Sequence, residues 1–261
     1  KVNDDGSLTI IPERHRKLVD FMNRLHVTDF EIPRSPFARL PHSTKDPNYK
    51  YISQSEREKA QRYYREFYNY LKENGWHKRA YLYMLDEPNR PENYEQVNVL
   101  GEMVHEAVPE LKCLVVEQTY KHDPSWPDMD EAVDIWCPLW SFIERKTINE
   151  KIAQGDEVWS YTALVQRSPS YHPGYEYTKD FDPPYWHIDR ALCHYRVPTW
   201  INWQYNITGF LYWSTTSTVI DPWWNPAFRN RFNGDGYLFY PGVPCGIDGP
   251  VPSMRMKNLR D

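Results

Sequence analysis

The sequence has no long uninterrupted apolar run and no cluster of basic residues. Because a membrane-spanning helix needs about 20 consecutive apolar residues, the sequence predicts no membrane span. The formal net charge is -5 at pH 7, and the scattered Lys and Arg side chains offer nucleic acid no basic surface. The first residues contain neither a signal peptide nor a transit peptide.

Motifs for metal, redox and nucleotide chemistry are also missing. The 4 cysteines form no C-x-x-C pair, and the 9 histidines show no H-E-x-x-H spacing. The sequence therefore predicts no catalytic transition metal and no cofactor. Cys113 and Cys137 lie in apolar strand patterns, where a buried free thiol is expected. Neither G-x-G-x-x-G nor G-x-x-x-x-G-K-[ST] occurs, which disfavours a nucleotide-binding fold.

Aromatic residues, in contrast, are abundant. They make up 16% of the chain, with 11 Trp and 20 Tyr, which is more than packing usually requires. Sugar rings stack their apolar C–H faces on such side chains while their hydroxyls bond to acids and amides, so a carbohydrate ligand is indicated. The 22 prolines imply long ordered loops. Together these features favour an exported protein, secreted or periplasmic, over a cytoplasmic one.

Strand and helix patterns alternate along the chain. Six apolar strands begin at Val27, Ala80, Lys112, Val133, Glu157 and Ile207. Apolar strands that alternate with helices predict a parallel sheet with both faces covered. The chain length suits one α/β barrel as well as two small domains, and a closed eight-stranded barrel needs two more strands. A doubly wound open sheet is the competing architecture.

The sequence marks where two early helices begin. Pro12 is predicted to open a helix, because proline suits the first helical turn. Its apolar face comprises Leu18, Phe21, Met22 and Leu25. Ser55 and Glu58 have capping-box spacing and predict the start of the next helix. The proline-broken loop between these helices, residues 33–51, is long enough to suggest a function, and the alternative is a disordered surface excursion.

Two later helices are predicted in the same way. Ser141 and Glu144 again have capping-box spacing, and Gly155 is predicted to end that helix. Pro184 is predicted to open a further helix that continues past Pro198 with a kink.

The stretch AYLYMLDEPNR, residues 80–90, is the strongest candidate for chemistry. Its apolar first half predicts a buried strand, and it ends in the adjacent carboxylates of Asp86 and Glu87 before Pro88. A strand that breaks at this proline can turn both acids toward a cleft at its carboxyl end. The alternative is that the two acids begin a solvated loop or cap the next helix.

Three segments carry a resemblance to a known family. They are GWHKRAYLYMLDEP at 75–88, GFLYW at 209–213 followed by DPWWNP, and NGDGYLFYPG at 233–242 followed by GPVPSMRMKNLRD. In this order and spacing they resemble the catalytic region of glycoside hydrolase family 123, whose members are similar to exo-acting β-N-acetylgalactosaminidases. The resemblance covers most of the chain from Gly75 onward.

The resemblance implies a fold and a domain organisation. It implies a (β/α)8 TIM-like barrel, with residues 1–261 forming a single barrel catalytic domain from about its third strand onward. The first strands, an N-terminal β-rich domain and a C-terminal continuation are expected to be missing from this chain. The implied substrate is a glycan or glycoconjugate with a terminal N-acetylhexosamine.

The resemblance also implies a mechanism, in which the substrate's 2-acetamido oxygen attacks the anomeric carbon and no protein nucleophile is needed. Glu87 is then the general acid that protonates the leaving oxygen and afterwards the base that activates water. Asp86 orients and polarises the acetamide N–H of the oxazolinium-like intermediate. A neighbouring carboxylate is expected to raise the pKa of the general acid through repulsion between like charges.

Further residues are candidates for sugar binding. Aromatic residues at or near strand ends are candidates for walls that stack on the sugar, or alternatively for packing inside the barrel: Trp140, Tyr161 and Trp213. Asn233 and Asp235 are candidates for contacts with sugar hydroxyls, although NGDG also predicts a tight turn. Gln118 and Glu117 end a strand and are candidates for the same role, with one of them facing away.

Two other functions compete with this hypothesis. One is a retaining glycosidase with a protein carboxylate nucleophile, in which Glu117 is paired with Glu87. The other is a non-catalytic carbohydrate-binding barrel that keeps the aromatic cleft.

Overall fold

A computed structural model describes residues 1–41, 45–163, 186–188, 190–217, 221–228 and 232–260. These residues divide into two compact units. The first unit comprises Lys1–Val116 and Asp123–Ile135, and the second comprises Glu117–His122 and Trp136–Asp261. The assignment of residues 1–261 to a single barrel domain stays a prediction.

The chain has an α/β fold with a six-stranded sheet, whose strands follow one another in chain order. The strands are β1 (Phe30–Glu31), β2 (Ala80–Asp86), β3 (Lys112–Val116), β4 (Ile135–Trp136), β5 (Glu157–Thr162) and β6 (Gly209–Tyr212). The described pairs β1/β2, β2/β3 and β5/β6 are all parallel. All six predicted strands are present, although β1, β4 and β6 begin at Phe30, Ile135 and Gly209 instead of Val27, Val133 and Ile207. Their order is compatible with part of a TIM-like barrel.

Two antiparallel pairs follow the sheet in the second unit. They are β7 (Ala227–Phe228) with β8 (Phe232–Asn233), and β9 (Phe239–Pro241) with β10 (Pro250–Pro252). These short hairpin-like pairs are separate from the six-stranded sheet, so they do not supply the two further strands of an eight-stranded barrel.

The first unit contains α1 (Pro12–Leu25), α2 (Gln54–Glu73) and α3 (Pro91–Ala107). Pro12 opens α1 as predicted, but of the predicted apolar face only Met22 is buried. The predicted capping box at Ser55 and Glu58 is wrong by two residues. Ser53 is the N-cap, where its hydroxyl accepts from the Glu56 N–H and its own N–H donates to the Glu56 carboxylate.

The core of the first unit lies between α2, α3 and the sheet. The buried side chains of β2 are Ala80, Leu82 and Met84, and they alternate with partly exposed ones as the period of a strand requires. In β3 the four residues after Lys112 are all buried. In α3, Gly101 permits close packing, because a Cβ there would lie 2.6 Å from the Cβ of Ala132.

The second unit contains α4 (Arg145–Gln154), α5 (Val197–Gln204) and α6 (Met254–Arg260). The predicted Ser141 cap is wrong, because Ser141 lies in a 3-10 turn, Trp140–Phe142, and Glu144 occupies the N-cap position without a side-chain bond. Gly155 caps the end of α4 in the left-handed conformation, as predicted.

The predicted helix from Pro184 begins outside the described residues. The segment that follows it is a 3-10 turn, Leu192–Tyr195, and α5 begins only at Val197. Pro198 therefore lies in the first turn of α5 rather than at a kink, because a helix needs no N–H bond there.

One buried cluster of the second unit comprises Trp186, Tyr195 and Leu238. Beside it, Arg255 is only 4% exposed and its guanidinium donates to the carbonyl oxygens of Trp186 and Gly234 at 3.0 and 2.5 Å. This buried cation fixes the loop between β8 and β9. No helix among the described residues meets the length and hydropathy of a membrane span.

Candidate active site

The predicted acid pair lies at the carboxyl end of β2 in the first unit. Asp86 is the last residue of the strand, opposite Val116 at the end of β3, and both acids are exposed. The backbone changes direction at Glu87, whose φ is 44°. This left-handed conformation costs a residue other than glycine about 1 kcal/mol or more. The predicted strand break is confirmed, and it occurs at Glu87, one residue before Pro88.

A β-bulge orients Asp86. The pairing of β2 with β3 shifts between Tyr83 and Leu85, so that one extra residue is inserted in β2. Residues three apart face opposite sides of a regular strand, but the insertion lets Tyr83 and Asp86 meet. The hydroxyl of Tyr83 donates to Oδ1 of Asp86 at 2.6 Å. Asp86 Oδ2 takes no hydrogen bond from the described residues.

Arg34 supports Tyr83 from the loop that follows β1. Its Nε donates to the carbonyl oxygen of Tyr83 at 2.8 Å, and its guanidinium carbon lies 5.7 Å from the centroid of the tyrosine ring. The long loop predicted from its prolines therefore reaches the end of β2. His42 of the same loop lies outside the described residues.

Glu117 and Gln118 follow β3 and belong to the second unit. They are 5% and 4% exposed, and the Gln118 N–H donates to Oε1 of Glu117 at 3.0 Å. The side-chain nitrogen of Gln118 is buried and makes no hydrogen bond within the described residues. A buried donor in this state calls for a water molecule or a ligand as its partner.

Trp140 and Tyr161 lie inside the second unit. They are 3% and 6% exposed, and Trp140 contacts the ring of Phe210 with a centroid distance of 6.1 Å. This burial agrees with the alternative role for the two aromatic residues, which is packing in the interior instead of stacking on a sugar. However, Nε1 of Trp140 and Oγ of Ser141 are both buried without a hydrogen-bond partner among the described residues.

Trp213 and Asp235 are joined in the second unit. Asp235 is 2% exposed, and it accepts from the Tyr212 hydroxyl at 2.7 Å and from Nε1 of Trp213 at 3.0 Å. Burial and the Asp235 carboxylate raise the pKa of Tyr212 well above its usual range, so this hydroxyl stays a donor. Trp213 is 37% exposed, and its bond to Asp235 fixes the orientation of the indole.

The NGDG segment forms the predicted turn. Residues 234–236 are turn residues, and Gly234 and Gly236 have φ values of 74° and 80°. A Cβ at Gly236 would lie 2.6 Å from Cζ2 of Trp213, so glycine is needed for both its conformation and its small size. Asn233 is half-buried at the end of β8, and its carbonyl oxygen accepts from the Ile188 N–H.

His105, Cys113 and Asp134 form a group with the residue types of a metal site in the first unit, with ligand atoms within 4.8 Å of one another. Asp134 Oδ2 already accepts from the Cys113 N–H at 2.7 Å and contacts Nε2 of His105 at 3.0 Å. Burial raises the pKa of the Cys113 thiol well above its usual range, and a protonated thiol is a poor metal ligand. Hydrogen bonds therefore account for this group. Cys113 and Cys137 are buried free thiols, as predicted.

Comparison with known proteins identifies the family. The family profile described as glycoside hydrolase 123, catalytic domain, matches residues 23–261. The chain belongs to glycoside hydrolase family 123. The profile includes residues of both units, and with them all of the segments that carried the resemblance. A comparison with curated proteins finds no match.

The fold of this family 123 chain is similar to that of a solved relative. That relative is a family 123 glycoside hydrolase from Clostridium perfringens, whose structural analysis concerns glycolipid glycan hydrolysis. The two share 18% sequence identity with a TM-score of 0.52, over 80% of this chain and 34% of the other. The family 123 chain described here thus spans about a third of the length of that relative.

Three side chains that lie beside the candidate site residues of this family 123 domain were not predicted from the sequence. Tyr83 was read only as part of an apolar strand, since nothing in its alternation signals a bulge. Tyr212 was likewise read as strand, and Ser141 was assigned to a cap. The one signal in the sequence was the position of Tyr83, whose hydroxyl lies three residues before Asp86 and can bond to it.

Proposed function

We propose that this family 123 chain contributes the catalytic residues of a glycosidase that releases terminal β-linked N-acetylgalactosamine by a retaining, substrate-assisted mechanism. The observation that supports the proposal most is the hydrogen bond from Tyr83 to Oδ1 of Asp86, beside the exposed Glu87. Tyr83 holds one carboxylate oxygen, and the other remains for the acetamide N–H of the substrate. Both acids are exposed at the end of the strand, and the bond to Tyr83 orients Asp86 for a role that differs from that of Glu87.

In the first step the acetamide oxygen attacks the anomeric carbon as the bond to the leaving oxygen breaks. Glu87 transfers its proton to that oxygen and becomes a carboxylate. Asp86 Oδ2 accepts the acetamide N–H and stabilises the positive charge of the oxazolinium. In the second step Glu87 takes a proton from water, which attacks the anomeric carbon from the face that the leaving group vacated, while the bond from that carbon to the acetamide oxygen breaks and the acetamide is restored. The sugar is released with its original anomeric configuration.

Several residues of the second unit are proposed to bind the sugar. Gln118 offers a buried amide nitrogen that has no hydrogen-bond partner among the described residues, and Trp140 offers an indole N–H in the same state. Trp213, fixed by Asp235, presents a partly exposed ring for stacking. The other proposed contacts are Tyr161 and Asn233.

The relative from Clostridium perfringens supports the substrate class, since its structural analysis concerns hydrolysis of glycolipid glycans. We accordingly propose a glycoconjugate with a terminal N-acetylhexosamine as the substrate of this chain.

Two inhibitors test the mechanism. A thiazoline derived from N-acetylgalactosamine mimics the cyclised intermediate, and we expect it to inhibit hydrolysis of a nitrophenyl N-acetyl-β-galactosaminide competitively. A fluorinated sugar without the acetamide group is expected to leave no covalent adduct in the intact mass. An adduct on Glu117 would instead establish a protein nucleophile, and binding without turnover would establish a non-catalytic barrel.

A further inference from the structure

A cavity lies in the first unit, at the end of the strands opposite to the acid pair. Its volume is about 520 Å³, and it is lined by Tyr68, Lys72, His77, Lys78, Ala80, Glu110 and Lys112. Ala80 and Lys112 are the first residues of β2 and β3. Since β2 has seven residues, the cavity is separated from Asp86 by about 20 Å along the strand.

The charge of this cavity is strongly unbalanced. Three lysines face one carboxylate, that of Glu110, so the lining carries a net charge of about +2 before His77 is considered. Lys72 and Lys78 form no ion pair with the described residues. Since the Debye length is about 8 Å at physiological ionic strength, ammonium groups that line one cavity act on a ligand together.

The cavity also has hydrogen-bonding groups and an aromatic wall. Tyr68 is only 7% exposed and its ring stands edge-on to that of His77, with 5.7 Å between the centroids. Burial, followed by the charge of Glu110, raises the pKa of Tyr68, so its hydroxyl remains a donor at neutral pH. Nδ1 of His77 is buried without a hydrogen-bond partner among the described residues.

We propose that this cavity binds a tetrahedral oxyanion, a sulfate or phosphate monoester carried by a small molecule such as a sugar. Lysine ammonium groups are suitable partners for such anions, and Lys72, Lys78 and Lys112 surround the space in which one would lie. The volume falls within the range of small-molecule sites, about 300–1,000 Å³, and exceeds what a bare anion needs. The aromatic ring of Tyr68 is the wall on which the carrier of the anion rests.

The site is independent of the proposed glycosidase activity, because it shares no residue with the acid pair. A ligand bound there requires no turnover, so a failure of the glycosidase hypothesis leaves this inference intact. The two are also separable by experiment, since the active site is predicted to recognise an acetamide group and this cavity recognises a charge.

The test is a titration of the full chain followed by the NMR signals of the His77 ring. The ligands are N-acetylgalactosamine 6-sulfate, unsulfated N-acetylgalactosamine and inorganic phosphate, each at constant ionic strength adjusted with sodium chloride. We expect the sulfated sugar and phosphate to shift the His77 signals saturably and the unsulfated sugar to leave them unchanged. Tighter binding of the sulfated sugar than of phosphate identifies a sugar ester as the ligand, whereas equal affinities identify the free anion.

Paired variants locate the binding. Lys72→Gln combined with Lys78→Gln is expected to weaken binding at least tenfold. Lys17→Gln combined with Lys45→Gln removes the same charge from exposed positions elsewhere in the first unit and is expected to change the affinity less than twofold. The proposal is overturned if neither anion shifts His77, or if the two double variants bind equally well. Circular dichroism of each variant verifies that it folds.

Discussion

The hydroxyl of Tyr83 donates a 2.6 Å hydrogen bond to Oδ1 of Asp86 across a β-bulge in β2. The bond fixes one carboxylate oxygen and thereby directs the other. Because Arg34 bonds to the carbonyl oxygen of Tyr83, the loop after β1 contributes to the same arrangement. Bulges beside active sites commonly redirect a functional side chain, and here the side chain is the one proposed to orient the substrate.

Removing the Tyr83 hydroxyl tests this arrangement. A hydrogen bond to a charged group contributes about 1.5–3 kcal/mol, so Tyr83→Phe is expected to lower kcat/KM for a nitrophenyl N-acetyl-β-galactosaminide by roughly 10- to 100-fold. The melting temperature should change little, because Asp86 is exposed and can bond to water instead. Tyr51→Phe, at a 66% exposed position, is the matched control and should retain full activity. Equal activity of both variants would show that Tyr83 does not position Asp86.

The turn that holds Asp235 gives a second prediction. Gly236→Ala introduces a Cβ 2.6 Å from Trp213 at a φ of 80°, whereas Gly246→Ala meets a φ of 70° with no atom within 4 Å. Both variants carry the cost of a left-handed alanine, about 1 kcal/mol, but only the first also displaces an indole. We expect Gly236→Ala to lose about 1–3 kcal/mol more free energy of unfolding than Gly246→Ala, measured by urea denaturation. Similar losses would mean that Trp213 moves aside freely.

His105 makes the stability of the first unit depend on pH. The hydrogen bond that Nε2 of His105 donates to the Asp134 carboxylate raises the pKa of His105 above 6.5, an effect that burial opposes and the charge of the carboxylate assists. The pKa of His105 is therefore higher in the folded state than in the unfolded state. The stability that His105 adds is fully present below its unfolded pKa of about 6.5, and it is lost as pH rises through its folded pKa.

Comparison of the wild type with His105→Gln tests this dependence. The difference in their free energies of unfolding should be larger at pH 5.5 than at pH 9, because only the charged imidazolium donates from both ring nitrogens, to Asp134 and to the Glu131 carbonyl oxygen. His26→Gln, in an exposed position, should show no such trend. A difference that is constant with pH would indicate a neutral His105 throughout.

The parts of the fold that could be predicted are those that depend on local sequence patterns. The apolar run before Asp86 predicted β2, and Gly155 marked the end of α4 because the left-handed conformation favours glycine. The start of α2 was predicted two residues too late. Ser53 and Glu56 have capping-box spacing, and so do Ser55 and Glu58, so the sequence contains two overlapping capping boxes. Only the folded backbone selects Ser53.

Long-range partners were not predictable. Asp235 bonds to Trp213, 22 positions earlier in the chain, and hydrophobic periodicity contains no information on such a pair. The bulge that joins Tyr83 to Asp86 depends on the register with β3 and not on the composition of β2. The acid pair itself was found because two charges at the end of an apolar strand are costly to bury and suit a cleft.

The central claim, that Glu87 moves the proton while Asp86 holds the acetamide, is tested most directly by changing the leaving group. Aryl N-acetyl-β-galactosaminides of increasing leaving-group acidity would be hydrolysed by the wild type, Glu87→Gln and Asp86→Asn. We expect Glu87→Gln to lose about 100-fold or more in kcat/KM, which reports the step that expels the leaving group, with a poor leaving group but far less with dinitrophenolate, which needs no proton. Asp86→Asn should lose a similar factor, on the order of 100-fold, with every leaving group. Turnover by Glu87→Gln equal to that of the wild type, or losses by both variants that do not depend on the leaving group, would contradict the account.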